Sequence, residues 1–141
     1  MQTIEFFAQG VPKGQPRPRA FARGGHAAIY DPGTAEGWKG QIAIGARPFI
    51  PKQPILGPVK LTLDFRLPRP KKHFHNNGAL RTDAPIWCEK KPDADNYAKA
   101  VMDALTILRF WGDDCQVCVL KVRKAYGLDT GCNIKIEECE Q

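Results

Sequence analysis

Residues 59–67 read VKLTLDFRL, and their alternation decides the fold class. Val59, Leu61, Leu63, Phe65 and Leu67 fall on one side of an extended chain, and Lys60, Thr62, Asp64 and Arg66 on the other. Successive side chains of a strand point to opposite faces, so this segment is a strand with one face in a core. Upstream, TIEFFA at 3–8 also alternates and is rich in strand formers. Downstream, QVCVLKVRKAYG (116–127) and NIKIEE (133–138) read as two further strands, expected to form a hairpin turning at GLDTGC.

Helices fit between these strands. Thr34 can cap a helix running to about Ala46, weakened by three glycines in TAEGWKGQIAIGA. A second helix follows Asp93. Tyr97, Val101, Ala104, Leu105 and Leu108 recur at i, i+4, i+7, i+8 and i+11, a single apolar stripe. GVPKGQPRPRAFARGG (10–25) holds three prolines and four glycines and reads as an extended basic loop stiffened by proline. ARPFIPKQPILGP is a connection, and residues 68–90 show no sustained period, a length that marks a functional or mobile loop. The order β, loop, α, β, long loop, α, β, β predicts an α/β fold of the α+β type. One small domain, residues 1–141, would carry a mixed sheet with helices packed on it.

At 141 residues, 43% hydrophobic and 26% charged, the chain can bury a core without disulfides and is not disordered. No apolar run approaches the roughly 18 residues of a membrane helix, and MQTIEFFAQGVPKGQ lacks the regions of a signal peptide. A cytosolic protein is expected. Five cysteines, 88, 115, 118, 132 and 139, are then free thiols. Cys115 and Cys118 have metal-thiolate spacing, but Cys132 and Cys139 do not and no histidine lies near, so ordinary buried cysteines are expected.

Net charge is +6, and the positive residues are segregated. No acid occurs between Glu5 and Asp31, a span holding Lys13, Arg17, Arg19 and Arg23. Further basic runs lie at Arg66, Arg69, Lys71 and Lys72, and at Lys90 and Lys91. Acid-free basic segments point to a polyanion, and nucleic acid is the expected partner.

Against this background KPDADNYAK (91–99) and WGDDCQV (111–117) concentrate acids. Asp93 can serve as an N-cap, and Asp95 can pair with Lys99 one turn on, with Asp103 extending the row to Lys99. Asp113 and Asp114 stand at a strand entrance, close enough in sequence for Asp114 to lie against the start of the helix. Three converging carboxylates repel strongly without a cation, and magnesium, which prefers oxygen ligands, resolves that repulsion. Beside nucleic acid, such a cluster means metal-assisted phosphodiester chemistry. His26, His73 and His75 read as loop histidines without a role. Trp87, Phe74 and Trp111 could stack on opened bases, although core packing suits Trp111 better.

KPDADNYAKAVMDAL followed by WGDDCQVCVLKVRKAYG resembles the RusA family of Holliday-junction resolvases, whose hallmark is D-x-D-N-x-x-K, a helix ending D-A-L, then D-D-x-Q-V. Asp93, Asp95, Asn96, Lys99, Asp103-Ala104-Leu105, Asp113, Asp114, Gln116 and Val117 supply every element. The resemblance is specific over about 91–127 and extends to the opening strand and basic loop. It implies a bacterial or phage-encoded homodimer that cuts four-way DNA junctions by paired nicks. Magnesium would be required, with manganese as a substitute, and neither a membrane nor a small-molecule cofactor is involved. By position, Asp93, Asp95 and Asp114 match the metal-binding catalytic aspartates, Lys99 the active-site lysine and Asp113 the neighbouring acid. The residues expected on DNA are Lys13, Arg17, Arg19, Arg69, Lys71, Lys72, Lys90 and Lys91.

Overall fold

A computed structural model describes residues 2–15, 19–23, 26–30 and 35–140, with the backbone alone for 19–23 and 26–30. Strands β1 (Thr3–Gln9), β4 (Val59–Leu67), β5 (Val117–Tyr126) and β6 (Gly131–Glu138) form a sheet in the order β1-β6-β4-β5. β4 is antiparallel to β6 and parallel to β5, so the sheet is mixed. Strands β2 (Arg19–Arg23) and β3 (His26–Tyr30) make a separate antiparallel pair. Helices α1 (Glu36–Ala46) and α2 (Ala94–Ile107) complete an α+β arrangement.

The alternation of β4 is realised residue by residue: Val59, Leu61, Leu63, Phe65 and Leu67 are buried and the intervening residues half-buried. Its apolar face is continued by Ile4, Phe6 and Ala8 of β1 and Cys132, Ile134 and Ile136 of β6. Trp38, Ile42 and Ala46 of α1 join the same core, as do Tyr97, Val101, Ala104 and Leu105 of α2. The α2 stripe read from sequence is therefore the buried one, with Leu108 packed at its edge. Trp111 is fully buried, as its core reading requires.

Three expectations change. β5 and β6 do not form a hairpin, because β4 lies between them. Gly127 N donates to Leu67 O (3.0 Å), so the short connection carries the chain past the end of β4 instead of reversing it beside β5. The basic stretch 10–25 is not a loop throughout, since Arg19–Arg23 pair with His26–Tyr30. Its prolines, at 12, 16 and 18, all precede the paired residues. The helix cap expected at Thr34 lies outside the described residues; the observed N-cap is Ala35, without a side-chain hydrogen bond.

Residues 68–90 are irregular apart from a 3₁₀ turn at Lys71–His73, an antiparallel bridge between Phe74 and Leu80, and the end of the segment. Its end adds to the sheet: Trp87 bridges Ala125, Cys88 N donates to Lys124 O (3.1 Å) and Tyr126 N to Ile86 O (2.9 Å). Among the described residues this covers only the last part of the β5 edge. All five cysteines are free, but Cys115 and Cys118 are exposed, correcting the expectation that they are buried. They sit where edge strand β5 enters the sheet, and no described layer covers them. His73 lies in the 68–90 segment as expected, but it is buried there, edge-on to Tyr126 at 4.8 Å.

Candidate active site

Asp93 has an extended backbone (φ −67°, ψ 156°), and its carbonyl accepts from Asn96 N and Tyr97 N, both at 3.1 Å. It is the N-cap of α2 by backbone, but its carboxylate caps no N–H and stays exposed. Asp95 occupies the first turn, also exposed, where the positive end of the helix dipole favours both acids. The opposite side of the helix is fixed by burial. Tyr97 stacks on Phe65 with centroids 5.1 Å apart, and Val101 and Leu105 are fully buried. Asp95 and Lys99 are thereby held on the outer face.

The second half of the site is a 3₁₀ turn, Asp114–Gln116, at the entry to β5. Asp113 caps it, accepting from Cys115 N at 3.1 Å. Gln116 does more than its place in the motif suggests. Its Oε1 accepts from Gly112 N (2.9 Å) and Asp113 N (3.2 Å), while Nε2 donates to Ile55 O (2.7 Å) and Gly57 O (3.0 Å). One side chain thus fastens the acidic turn to the connection leading into β4.

The halves meet where Lys99 Nζ donates to Asp114 Oδ2 at 2.8 Å. Asp114 therefore lies against α2, as expected from the short connection. That bond and the charge of Lys99 hold the Asp114 carboxyl below its ordinary range, against partial desolvation. The same bond, with the Asp114 charge, raises Lys99. Lys99 is thus the partner of Asp114, not of Asp103. Asp103 instead binds Lys39 of α1 at 2.7 Å, because the outer row of α2 turns toward α1 by its third turn.

The expected gathering of three carboxylates is not present in this side-chain arrangement. Among the described residues no three His, Cys, Asp or Glu side chains lie close enough to hold one ion. An ammonium, that of Lys99, balances Asp114, and Asp93 and Asp95 point to solvent a turn away. The donor types suit a hard cation, but the set is not preassembled.

Of the residues expected on DNA, Lys13, Arg69, Lys72, Lys90 and Lys91 line one cavity beside the start of α2. Lys71 is exposed in the neighbouring 3₁₀ turn. Arg17 lies outside the described residues, and Arg19 opens β2. Sequence reading missed Lys124. Its Nζ donates to Lys90 O (2.7 Å) and Pro92 O (2.8 Å) and sits 5.8 Å from the Tyr97 ring, pinning the chain that enters α2. The signal was a lysine in register with buried Phe65, at a position where strand alternation calls for an apolar residue.

No helix among the described residues is long and apolar enough to cross a membrane. A family model described as endodeoxyribonuclease RusA matches residues 9–137. The uncharacterized protein YqaN of Bacillus subtilis (strain 168) is 35% identical over 146 residues, covering 98% of each chain. The match takes in both halves of the acidic site together with the strands that carry them, and the chain belongs to the RusA family of endodeoxyribonucleases.

Proposed function

We propose that this chain is a magnesium-dependent nuclease that resolves four-way DNA junctions, working as a two-fold dimer that nicks two opposed strands. The observation that carries the reading is the Lys99–Asp114 contact. It joins the D-x-D-N-x-x-K helix to the D-D-x-Q-V turn and leaves Asp93 and Asp95 open to solvent beside it.

Asp93, Asp95 and Asp114 are the oxygen donors proposed for magnesium, which, when bound, lowers the pKa of a water and neutralises charge on the phosphate. Lys99 is a compact ammonium at the same place, suited to hold the scissile phosphate. Asp113 and Gln116 hold the turn that presents Asp114. Lys13, Arg17, Arg19, Arg69, Lys71, Lys72, Lys90 and Lys91 would bind the sugar–phosphate backbone, a sequence-independent role.

The dimer has support in β5, an edge strand exposing Val119 (46%) and Leu120 (43%). A strand edge with exposed apolar residues is a surface that proteins normally cover. One specific observation favours a second reading, a DNA-binding module without catalysis: the three carboxylates are not gathered, and Asp114 is already neutralised by Lys99.

Incubation with a synthetic four-way junction, linear duplex and single strands, each in Mg²⁺ and in EDTA, separates these readings. Cutting confined to the junction and to Mg²⁺ is expected. Tight binding with no cutting in Mg²⁺ supports the binding module. Equal cutting of linear DNA makes the protein a general phosphodiesterase.

A further inference from the structure

Both peptide groups that flank Asp93 are held by hydrogen bonds, and one of them is held by a side chain outside the acidic motifs. On the helical side, Asp93 O accepts from Asn96 N and Tyr97 N, both at 3.1 Å. On the other side, Pro92 O accepts from Lys124 Nζ at 2.8 Å. The same ammonium donates to Lys90 O at 2.7 Å. Pro92 O belongs to the peptide group that Asp93 N completes. The backbone of Asp93 is therefore fixed from both directions, and its exposed carboxylate keeps only its side-chain torsions.

Little else holds this chain. Among the described residues, 89–92 make no backbone–backbone hydrogen bond, and proline at 92 has no N–H to offer. Cys88 Sγ lies 4.0 Å from Lys90 O, a weak contact. Just upstream, Cys88 N donates to Lys124 O at 3.1 Å. One residue of β5 thus grips the segment twice, by its carbonyl at Cys88 and by its ammonium at Lys90 and Pro92.

Lys124 is well placed for this task and poorly for others. It is in register with Phe65 of β4, so its stem leaves on the face where α2 packs. Half-buried there, its Nζ stands 5.8 Å from the ring of Tyr97, which is itself stacked on Phe65. Among the described residues it makes no ion pair. The helix dipole opposes a cation near the start of α2, so dipole stabilisation does not account for its position. The bonds to the two carbonyls do, since a charged donor makes the stronger hydrogen bond. β5 itself leaves the turn that carries Asp114, so one strand joins that half of the acidic site to the clamp on the other.

We propose that Lys124 is a positioning residue: it fixes Asp93, and through the first turn of α2 Asp95, as donors to the proposed divalent cation. The proposal deepens the nuclease reading and rests on it for the metal. Groups that orient metal ligands without touching the metal change affinity by about 10–100-fold when replaced.

The test compares the full wild-type chain with Lys124→Met, which keeps the stem beside Tyr97 and loses the ammonium. Ile134→Val, a change in the core of β6, is the control for general destabilisation. Each protein is titrated with Mn²⁺ alone, without DNA, and the free ion is read by electron paramagnetic resonance. Lys124→Met should raise the Mn²⁺ midpoint about tenfold, and junction cutting should recover at saturating metal. Amide exchange at Asn96 and Tyr97, measured in EDTA, should quicken several-fold. Ile134→Val should lower the melting temperature with neither change, and duplex binding in EDTA should be the same in all three proteins. An equal midpoint shift in Ile134→Val would overturn the proposal. So would weaker duplex binding in Lys124→Met with unchanged amide exchange, which would make Lys124 a phosphate contact. Wild-type protein that binds no Mn²⁺ would remove the nuclease reading and this proposal with it. Wild-type protein that binds Mn²⁺, with an unmoved midpoint in Lys124→Met, would remove the proposal alone.

Discussion

Lys99 and Asp114 move each other's protonation in opposite directions, and that makes their contact measurable. A carboxyl held below its ordinary range stabilises the fold above its unfolded pKa, and that stabilisation is lost as pH falls through the folded value. A raised ammonium loses its contribution as pH rises through its own folded value. Both side chains are partly exposed, 54% and 31%, so the pair contributes at most about 1 kcal/mol. Asp114→Asn should therefore cost little stability but bring the Lys99 titration down, read from its ε-carbon NMR shift. An unmoved Lys99 would mean the contact does not persist in solution. If Asp95 is the metal donor proposed above, Asp95→Asn should abolish cutting while leaving junction binding intact or tighter, since it also removes a charge that repels phosphate. Parallel loss of binding and cutting would make Asp95 structural. Asp103→Asn breaks the Lys39 bridge between α1 and α2, so it should cost about 1 kcal/mol in urea unfolding with the cutting rate unchanged.

Among the elements, the acidic turn depends on Gln116. Gln116→Ala removes four hydrogen bonds and should cost about 1–3 kcal/mol in thermal unfolding. Cutting should fall with it, because the turn that presents Asp114 is freed. Gln116→Glu keeps the acceptor and loses the donor, and should fall between; full activity in Gln116→Ala would remove the turn from the site. The end of α2 is a second test. Phe110 N donates to Leu105 O and Arg109 N to Thr106 O, with Arg109 at φ +69°, a conformation that glycine adopts more readily. Arg109→Gly should raise stability by up to about 1 kcal/mol without affecting cutting.

These elements also show what was legible beforehand. β4 and α2 could be read because burial of one face writes itself into the sequence at periods of 2 and 3.6 residues. The β5–β6 order could not, since a four-residue connection looks the same whether it reverses a strand beside its neighbour or carries the chain past a third. The acids were legible as residue types in a spacing. The partner choices of Lys99 and Asp103 were not, because they depend on where α1 and the turn before β5 come to lie. Lys124 broke the alternation of β5, but its role was not legible, because its partners are backbone carbonyls brought beside it only by the fold.

For the whole molecule, charge and symmetry are the terms that matter. Replacing Lys13, Arg17 and Arg19 together with alanine should weaken junction and duplex binding alike, and the slope of log K against log salt should shrink by about 0.9 per lost phosphate contact. An unchanged slope would remove that segment from the DNA surface. The proposed function gives each chain one acidic site among the described residues, whereas resolution requires cuts in two opposed strands, so it demands two sites related by a two-fold axis. Light scattering at micromolar concentration should give about twice the 15.7 kDa chain mass. The most direct measurement is to map nicks on a four-way junction labelled in turn on each of its four strands, in Mg²⁺. Two nicks at symmetry-related positions on opposed strands, giving ligatable duplexes, are predicted; single nicks on unrelated strands, or the same nicks on linear duplex, would contradict it.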